Sequence, residues 1–195
     1  MTQGHSGSTK SGKESFNLIR EFYEWSEAIV FSLAIVVLAF SLIFRIMGVS
    51  GISMENTLNQ GVRDENQTQD RVVISNFNYT PKRGDIVAVS KKIGSINLIV
   101  KRVIATSGQV VNIDFNKHIV YVNNKALKEP YIKEPTSDPG LVSFPLKVPK
   151  DCVFVMGDNR NESYDSRYFG CVNRHTIIGK VYFRILPINR IGFLP

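Results

Sequence analysis

The chain begins with a long apolar stretch and continues as short alternating segments. From Ser15 onward apolar residues recur every three to four positions, which predicts a helix. Ala28–Phe44 follows with seventeen residues that include no charge, proline or glycine. As a helix this run spans roughly 26 Å at about 1.5 Å per residue. Continuing to Met47, with Arg45 snorkelling, reaches about 30 Å, the thickness of a bilayer core.

Two other interpretations of this run were weighed. A cleaved signal sequence has a shorter apolar core and ends in small residues, whereas this run ends in the bulky Phe44–Met47. A buried core helix usually keeps a polar face, and this one has only Ser32 and Ser41. We therefore expect an uncleaved single-pass anchor at 28–47.

The basic residues around the anchor predict its orientation. Lys10, Lys13 and Arg20 precede the span, and only Arg45 follows it before Arg63. Because cytoplasmic flanks carry the excess of Lys and Arg, we expect the N-terminus in the cytoplasm and the body outside.

Beyond the anchor the pattern predicts β-strands, because short runs rich in β-branched residues alternate with turn signals. These runs are Arg71–Phe77, Asp85–Val89, Leu98–Ala105, Val110–Asp114, His118–Val122, Val153–Met156 and Ile177–Ile185. Asn123-Asn124 predicts a hairpin turn, and Thr80–Gly84 and Glu134–Gly140 predict loops. The predicted organisation is a tail, with Met1–Lys13 mobile, and a pre-anchor helix in 1–27, the anchor in 28–47, and a β-rich extracytoplasmic domain in 48–195.

Composition and charge narrow the classes of function. The net charge of +7 lies wholly after Arg45, where twenty Lys and Arg face thirteen Asp and Glu. A basic body favours nucleic acid or an anionic membrane surface, but no interleaving of aromatic and basic residues supports nucleic-acid binding. Cys152 and Cys171 lack the spacing of a zinc site, so we expect two small buried residues, with a disulfide allowed but not required.

Gly51–Leu58 (GISMENTL) is the first segment whose residues could take part in catalysis. Ser53 lies in a loop before the first predicted strand, where it can expose its hydroxyl and nearby backbone N–H groups, the parts of a nucleophile and an oxyanion hole. By itself this pattern is also typical of an ordinary turn serine.

Lys101 interrupts the apolar strand Leu98–Ala105 and would share one side with Ile99 and Val103. An apolar environment lowers the pKa of an amine, and a neutral amine can accept the proton of a serine. The alternative is an edge-strand lysine that snorkels to water.

Gly157–Gly170 (GDNRNESYDSRYFG) follows a predicted strand, with a glycine at each end and two Asp/Arg pairings between them. A calcium loop is the competing interpretation, but Arg160 and Arg167 oppose a bound cation. This segment closely resembles the signature of type I signal peptidases. Three further segments match that family in the same order: Gly51–Leu58, Arg83–Val87 (RGDIV) and Lys101–Ile104 (KRVI).

The resemblance implies a mostly β, signal-peptidase-like catalytic domain behind one transmembrane helix, of the compact Gram-positive type. It assigns Ser53 as nucleophile and Lys101 as general base, with Ser163 hydrogen-bonding the lysine. It also implies that Asp165 and Arg167 form a supporting ion pair and that Asp158 and Arg160 belong to the scaffold. The backbone N–H of Ser53 would form the oxyanion hole, with Gly51 beside it.

The resemblance further implies small apolar pockets for the residues before the cut, lined by Val49, Met54, Leu58 and Val100. Two departures stand out. Asn56 replaces the family's usual proline, which predicts a less rigid nucleophile loop. Ala105–Gln109 replaces the usual segment after the lysine motif, which leaves room for a specialised substrate range.

The implied activity is removal of signal peptides from exported preproteins, with no metal or cofactor and with the secretion translocon as a candidate partner. Ser53 lies nine residues beyond Phe44, a reach of only about 30 Å, so the nucleophile should lie near the membrane surface. Three other classes of protein were considered as alternatives. A self-cleaving Ser/Lys repressor is disfavoured by the anchor, and a non-catalytic assembly factor is disfavoured by the presence of Ser53, Lys101 and Ser163. The third alternative is a tethered β domain without catalysis. The three histidines lie outside the matched segments, so a Ser-His-Asp triad has no support.

Overall fold

A computed structural model describes residues 8–59, 69–94 and 96–194. It divides into two compact units, Met1–Ile43 and Phe44–Pro195. Arg63, which follows the predicted anchor, and His5, one of the three histidines, lie outside the described residues.

The first unit contains one long helix, α1 (Ser8–Ile43). Within it, Arg20–Ile43 is long and apolar enough to cross a membrane, with a mean hydropathy of 2.4 over its most apolar stretch. The hydroxyls of Ser32 and Ser41 donate to Ala28 O (2.8 Å) and Leu38 O (2.7 Å) of the same helix. Each hydroxyl is therefore satisfied without water, as a hydrocarbon environment requires.

Both ends of α1 differ from the prediction. The helix begins at Ser8, so the prediction of a mobile tail is wrong for residues 8–13. These residues extend an existing helix, which is far more favourable than nucleating a new one. It ends at Ile43 and not at Met47. Phe44–Gly48 instead forms a strand, whose backbone groups pair with a neighbouring strand from Phe44↔Ser75 to Gly48↔Arg71.

The second unit is built from β-strands, which confirms the predicted mostly β fold. The strands are β1 (Phe44–Gly48), β2 (Arg71–Ser75), β3 (Ile86–Ile93), β4 (Ile96–Thr106), β5 (Val110–Asp114), β6 (Ile119–Val122), β7 (Lys125–Ala126), β8 (Leu146–Lys147), β9 (Cys152–Met156), β10 (Val172–Asn173), β11 (Ile177–Leu186) and β12 (Gly192–Phe193). A short helix α2 (Ser166–Phe169) and 3-10 turns at Arg160–Glu162, Arg174–Thr176 and Ile188–Arg190 complete it.

All seven predicted strands are present, with ends that move by up to four residues. The other five strands were not predicted. Four of them have two residues each, which is too short for a detectable pattern, and the fifth is β1. The Asn123-Asn124 turn is confirmed: both residues have positive φ (50° and 62°) and they connect β6 to β7, as a type I′ hairpin requires.

In the described chain, the strands form two sheets. The larger has the order β1-β2-β11-β3-β4-β9-β10, with β12 paired to β11, and the smaller has the order β7-β6-β5-β8. Strand β4 therefore has a hydrogen-bonded neighbour on each side, so Lys101 does not belong to an edge strand.

Both faces of the larger sheet are buried. Along β3 the side chains alternate, with Ile86 and Ala88 in one apolar cluster and Val87 and Val89 in another. A third cluster joins the two sheets around Phe154, which is fully buried and lies 5.9 Å from the ring of Phe144. These clusters fix β4 and β9, the strands that lead into the chemically interesting segments.

Cys152 and Cys171 are free and partly buried, packed against the cluster around Phe154. Burial raises the pKa of the Cys171 thiol to about 11. Both cysteines thus act as small packing residues. No group of three or more His, Cys, Asp or Glu side chains within the described residues is arranged to hold a metal ion.

We predict that Phe154→Ala lowers the free energy of unfolding by about 3–5 kcal/mol, because it leaves a cavity where the two sheets meet. Chemical unfolding of the detergent-solubilised protein measures this. Leu141→Ala, at a side chain that is 78% exposed, should change it by less than about 0.5 kcal/mol. Equal effects of the two variants would contradict the assignment of Phe154 to the core.

Candidate active site

Ser53 and Lys101 meet although 48 residues separate them. Ser53 lies in the loop after β1, and Lys101 projects from β4. The Lys101 Nζ donates a hydrogen bond of 2.5 Å to the Ser53 Oγ. The lysine is only 3% exposed, so it does not snorkel to solvent.

The environment of Lys101 favours the neutral amine. Burial lowers its pKa from 10.5 to about 8. Asp165 and Asp158 oppose this shift, and Arg167 reinforces it. A substantial fraction of the lysine is therefore uncharged at mildly alkaline pH and can accept the proton of the neighbouring serine.

Ser163 lies beside this pair but does not form the predicted hydrogen bond with Lys101. Its Oγ is buried and has no hydrogen-bond partner among the described residues. The Lys101 amine is directed at Ser53 instead. Ser163 packs so closely on Gly157 that a Cβ there would overlap both the Ser163 hydroxyl and the Ser53 carbonyl, so only glycine fits at 157.

The loop after β9 also supports the nucleophile loop through Asn159. Its backbone N–H donates to Ser53 O (3.1 Å), and its Nδ2 donates to Ile52 O (3.1 Å). Within the described part of the chain, the backbone N–H of Ser53 donates no hydrogen bond. That N–H is available to a substrate oxyanion.

Asp165 and Arg167 form a fully buried ion pair at 2.9 Å. Asp165 also accepts from Gly157 N (3.0 Å), and Arg167 donates to Ser163 O (3.3 Å). The pair thereby connects both sides of the loop that carries Ser163, which fits the supporting role that the resemblance implies.

Asp158 and Arg160 each pair with a residue outside their own loop. Asp158 accepts from Arg102 through both oxygens, at 2.9 and 2.8 Å, and from the Thr57 hydroxyl at 2.5 Å. Arg160 pairs with Glu129 at 2.5 Å. Each arginine reaches the carboxylate that folding places nearest, and sequence spacing does not reveal that.

A cleft of about 400 Å³ opens beside Ser53 and Lys101. Val49, Met54 and Val100 line it, as does Gly51, which has a positive φ of 82°. Leu58 does not: it is fully buried in the core cluster beneath the loop, which corrects its assignment to the pockets. The full lining comprises Met47, Gly48, Val49, Ser50, Gly51, Ile52, Ser53, Met54, Leu98, Ile99, Val100, Lys101, Glu162 and Tyr164.

A sequence model described as "Signal peptidase, peptidase S26" matches residues 22–186. The chain belongs to this family. Signal peptidase I T of Bacillus subtilis is 32% identical over 97% of each chain. The probable signal peptidase I-2 of Synechocystis is 38% identical over 73% of this chain, and the match covers only 63% of that relative's length. A crystal structure of a signal peptidase I from Enterococcus faecalis aligns with 52% of this chain and 97% of its own, with 29% identity and a TM-score of 0.45.

Asn56, which stands where signal peptidases usually have proline, restrains the loop by hydrogen bonds. Its Nδ2 donates to Tyr131 O (3.0 Å) and Ile132 O (3.2 Å). Its φ is 93°, a left-handed value that proline's ring forbids. Asn56 therefore ties the loop to the 131–132 segment, where the substitution alone had predicted a looser loop.

The other departure from the family pattern, Ala105–Gln109, spans the end of β4 and the turn into β5. Gln109 Oε1 accepts from Thr106 N at 2.8 Å, and Gly108 takes a positive φ of 82°. This turn contributes no residue to the cleft lining.

Sequence reasoning missed a second anchor of the nucleophile loop. Asn59 donates through Nδ2 to Val49 O (2.6 Å) and Gly51 O (3.1 Å). Its backbone N–H donates to the Asp70 carboxylate (3.0 Å), and its Oδ1 accepts from Asp70 N (2.8 Å). Arg184 of β11 joins Thr57 O (2.9 Å) to the same Asp70 (3.1 Å). Nothing in the local pattern marks Asn59, because its partners Val49, Gly51 and Asp70 lie eight to eleven residues away along the chain.

We predict that Asn56→Pro destabilises the protein although it restores the usual family residue. Its backbone strain should cost about 1–3 kcal/mol. Asn56→Gly accepts the same φ and loses only exposed hydrogen bonds, so it should cost less than about 1 kcal/mol. Thermal unfolding in detergent measures both variants, and a proline variant as stable as the wild type would show that the left-handed conformation is not required.

Proposed function

We propose that this protein is a membrane-anchored serine endopeptidase that removes N-terminal signal peptides from exported preproteins with a Ser53/Lys101 dyad. The observation that carries the proposal is the 2.5 Å contact between a buried lysine amine and the Ser53 hydroxyl at the wall of an open cleft. Family membership supports the substrate class.

The reaction follows from the protonation state of the dyad. Neutral Lys101 accepts the Ser53 proton as the Oγ attacks the scissile carbonyl, and the Ser53 N–H donates to the resulting oxyanion. The lysine ammonium then gives its proton to the leaving amine, and an ester to Ser53 remains. Lys101 next takes a proton from water as the water oxygen attacks the ester. The ammonium then returns this proton to Ser53 Oγ as the C–Oγ bond breaks, which releases the new carboxylate and restores the dyad. No step requires a metal or cofactor.

The cleft suits small residues before the cut. Val49, Met54 and Val100 are at least 92% buried and held in a packed cluster, so the wall cannot recede to admit a large side chain. Rejection is therefore steric, and alanine-like residues are favoured.

We further propose that α1 anchors the enzyme with the N-terminus in the cytoplasm and the β domain outside. Sharing the membrane with an apolar leader peptide raises the effective concentration of the substrate. The basic body would be attracted to anionic lipid. The preprotein, the bilayer and the translocon that delivers the preprotein are the proposed partners.

We predict that Ser53→Ala and Lys101→Met each lower cleavage of a synthetic preprotein by at least about 10³-fold, because each removes one half of the dyad. Mass spectrometry of the products should locate the cut after a small-x-small sequence. Cys152→Ser, remote from the cleft lining, is the matched control and should cleave normally. Undiminished cleavage by either dyad variant would exclude the Ser/Lys mechanism, and an inert wild type on several preproteins would favour the assembly-factor alternative.

We also predict the pH dependence of kcat/KM. Only the neutral lysine acts as the base, so the rate should rise about tenfold per pH unit below pH 8 and level off above it. Rates measured from pH 6 to pH 10 test this. A profile that is flat across pH 8, or that falls as pH rises through 8, would contradict Lys101 as the base.

A further inference from the structure

Glu162 and Tyr164 lie on the wall of the cleft that contains Ser53 and Lys101. They flank Ser163, whose backbone is extended (φ −124°, ψ 115°) and whose side chain is buried. Because successive side chains of an extended segment point in opposite directions, both neighbours of Ser163 point away from the core. Both are exposed.

The Glu162 carboxylate is available for a ligand. No side chain pairs with it within the described chain. Of the described residues that line the cleft, it alone carries a carboxylate, and the only basic side chain among them is the buried Lys101. Glu162 thus places an exposed negative charge on the cleft wall of a protein whose net charge is +7.

Tyr164 adds an aromatic surface beside this charge. Its ring stacks on Tyr168, with centroids 4.8 Å apart, and lies 5.7 Å from Phe169. Lys91 already places its ammonium 4.6 Å from the centroid of Phe169, so this cluster attracts cations. A carboxylate next to an aromatic face is a combination that binds an ammonium or guanidinium group.

Both side chains stand on a rigid support. Arg160, which begins the turn Arg160–Glu162, is fully buried and donates to Gly157 O (3.0 Å) and to Thr136 (2.8 Å). Tyr168 is held by a 2.6 Å hydrogen bond to Asp138. Little conformational entropy of the backbone is therefore lost when a ligand binds Glu162 and Tyr164.

We propose that Glu162 and Tyr164 form a subsite that favours a lysine or arginine of the substrate close to the scissile bond. In an extended substrate, alternate side chains point in opposite directions. When the small side chains enter the apolar pockets, the side chains between them point away from those pockets. A lysine or arginine at one of these intervening positions can reach the Glu162–Tyr164 pair. This inference rests on the proposed function and adds a charge preference to it.

Peptide sets test the subsite. Each set keeps one cleavable sequence and places Lys, Gln or Glu at a single position, scanned from four residues before the cut to two after it. At one or two positions the wild type should prefer Lys over Gln in kcat/KM by about threefold to tenfold, the range of an exposed ion pair assisted by an aromatic contact. Glu should be disfavoured there, and 0.5 M salt should weaken the preference.

Variants assign the preference to the pair. Glu162→Gln should bring the Lys/Gln ratio close to one, and Glu162→Lys should reverse it. Tyr164→Leu should lower the ratio, whereas Tyr164→Phe, which keeps the ring, should retain it. Glu134→Gln removes an equal charge outside the cleft lining and should keep the wild-type ratio. Ratios within one variant are insensitive to the fraction of folded enzyme.

The possible failures are distinct. If the wild type cleaves the Lys, Gln and Glu peptides equally at every position, the subsite is wrong and the proposed peptidase stands. A preference that survives Glu162→Gln overturns the subsite in the same way. If the wild type cleaves none of the peptides, the proposed function fails and the subsite fails with it.

Discussion

Burying a lysine amine is unfavourable while it carries a charge, and this constraint organises the site. Strand β4 lies inside the larger sheet, so Lys101 cannot reach solvent at an edge. Two features reduce the free-energy cost of burying the amine. Its pKa falls to about 8, which favours the neutral form, and it donates a hydrogen bond of 2.5 Å to the Ser53 hydroxyl. The same burial that destabilises the ammonium thus places an amine of lowered pKa next to a hydroxyl, as the proposed dyad requires. The surroundings of Ser53 and Lys101 serve to keep these two atoms together.

Three fully buried arginines, Arg102, Arg160 and Arg167, provide much of that support. Each pairs with a carboxylate, because an unpaired buried charge would cost several kcal/mol. The pairs join segments that are distant in sequence: Arg102 connects β4 to the loop after β9, and Arg160 connects that loop to Glu129. Asp158 also holds Thr57, so the loops of the nucleophile and of Ser163 are cross-linked through one carboxylate. These ion pairs and hydrogen bonds hold the loops around Ser53 and Lys101 together.

The loop that carries Ser53 is held by side-chain hydrogen bonds at a position where the family pattern has proline. Asn56 lacks the fixed φ of proline but donates two hydrogen bonds to the 131–132 segment. Asn59, Asp70 and Arg184 close the loop from the other side. The cleft-wall residues Glu162 and Tyr164 take no part in the contact between Ser53 and Lys101, so a substitution at either residue would leave that contact in place.

The sequence by itself predicted the apolar helix, seven strands, the Asn123-Asn124 hairpin and Ser53 and Lys101 as candidate site residues, because periodicity, turn chemistry and short motifs are local properties. Tertiary structure decided the rest. Helix α1 ends at Ile43 because β1 pairs with β2, Asp158 joins Arg102 because β4 and β9 are neighbours, and Leu58 lies in the core and not in the cleft. Ser163 lacks its predicted bond because the lysine is directed at Ser53. Each outcome depends on partners far apart in sequence, whose proximity no local pattern encodes.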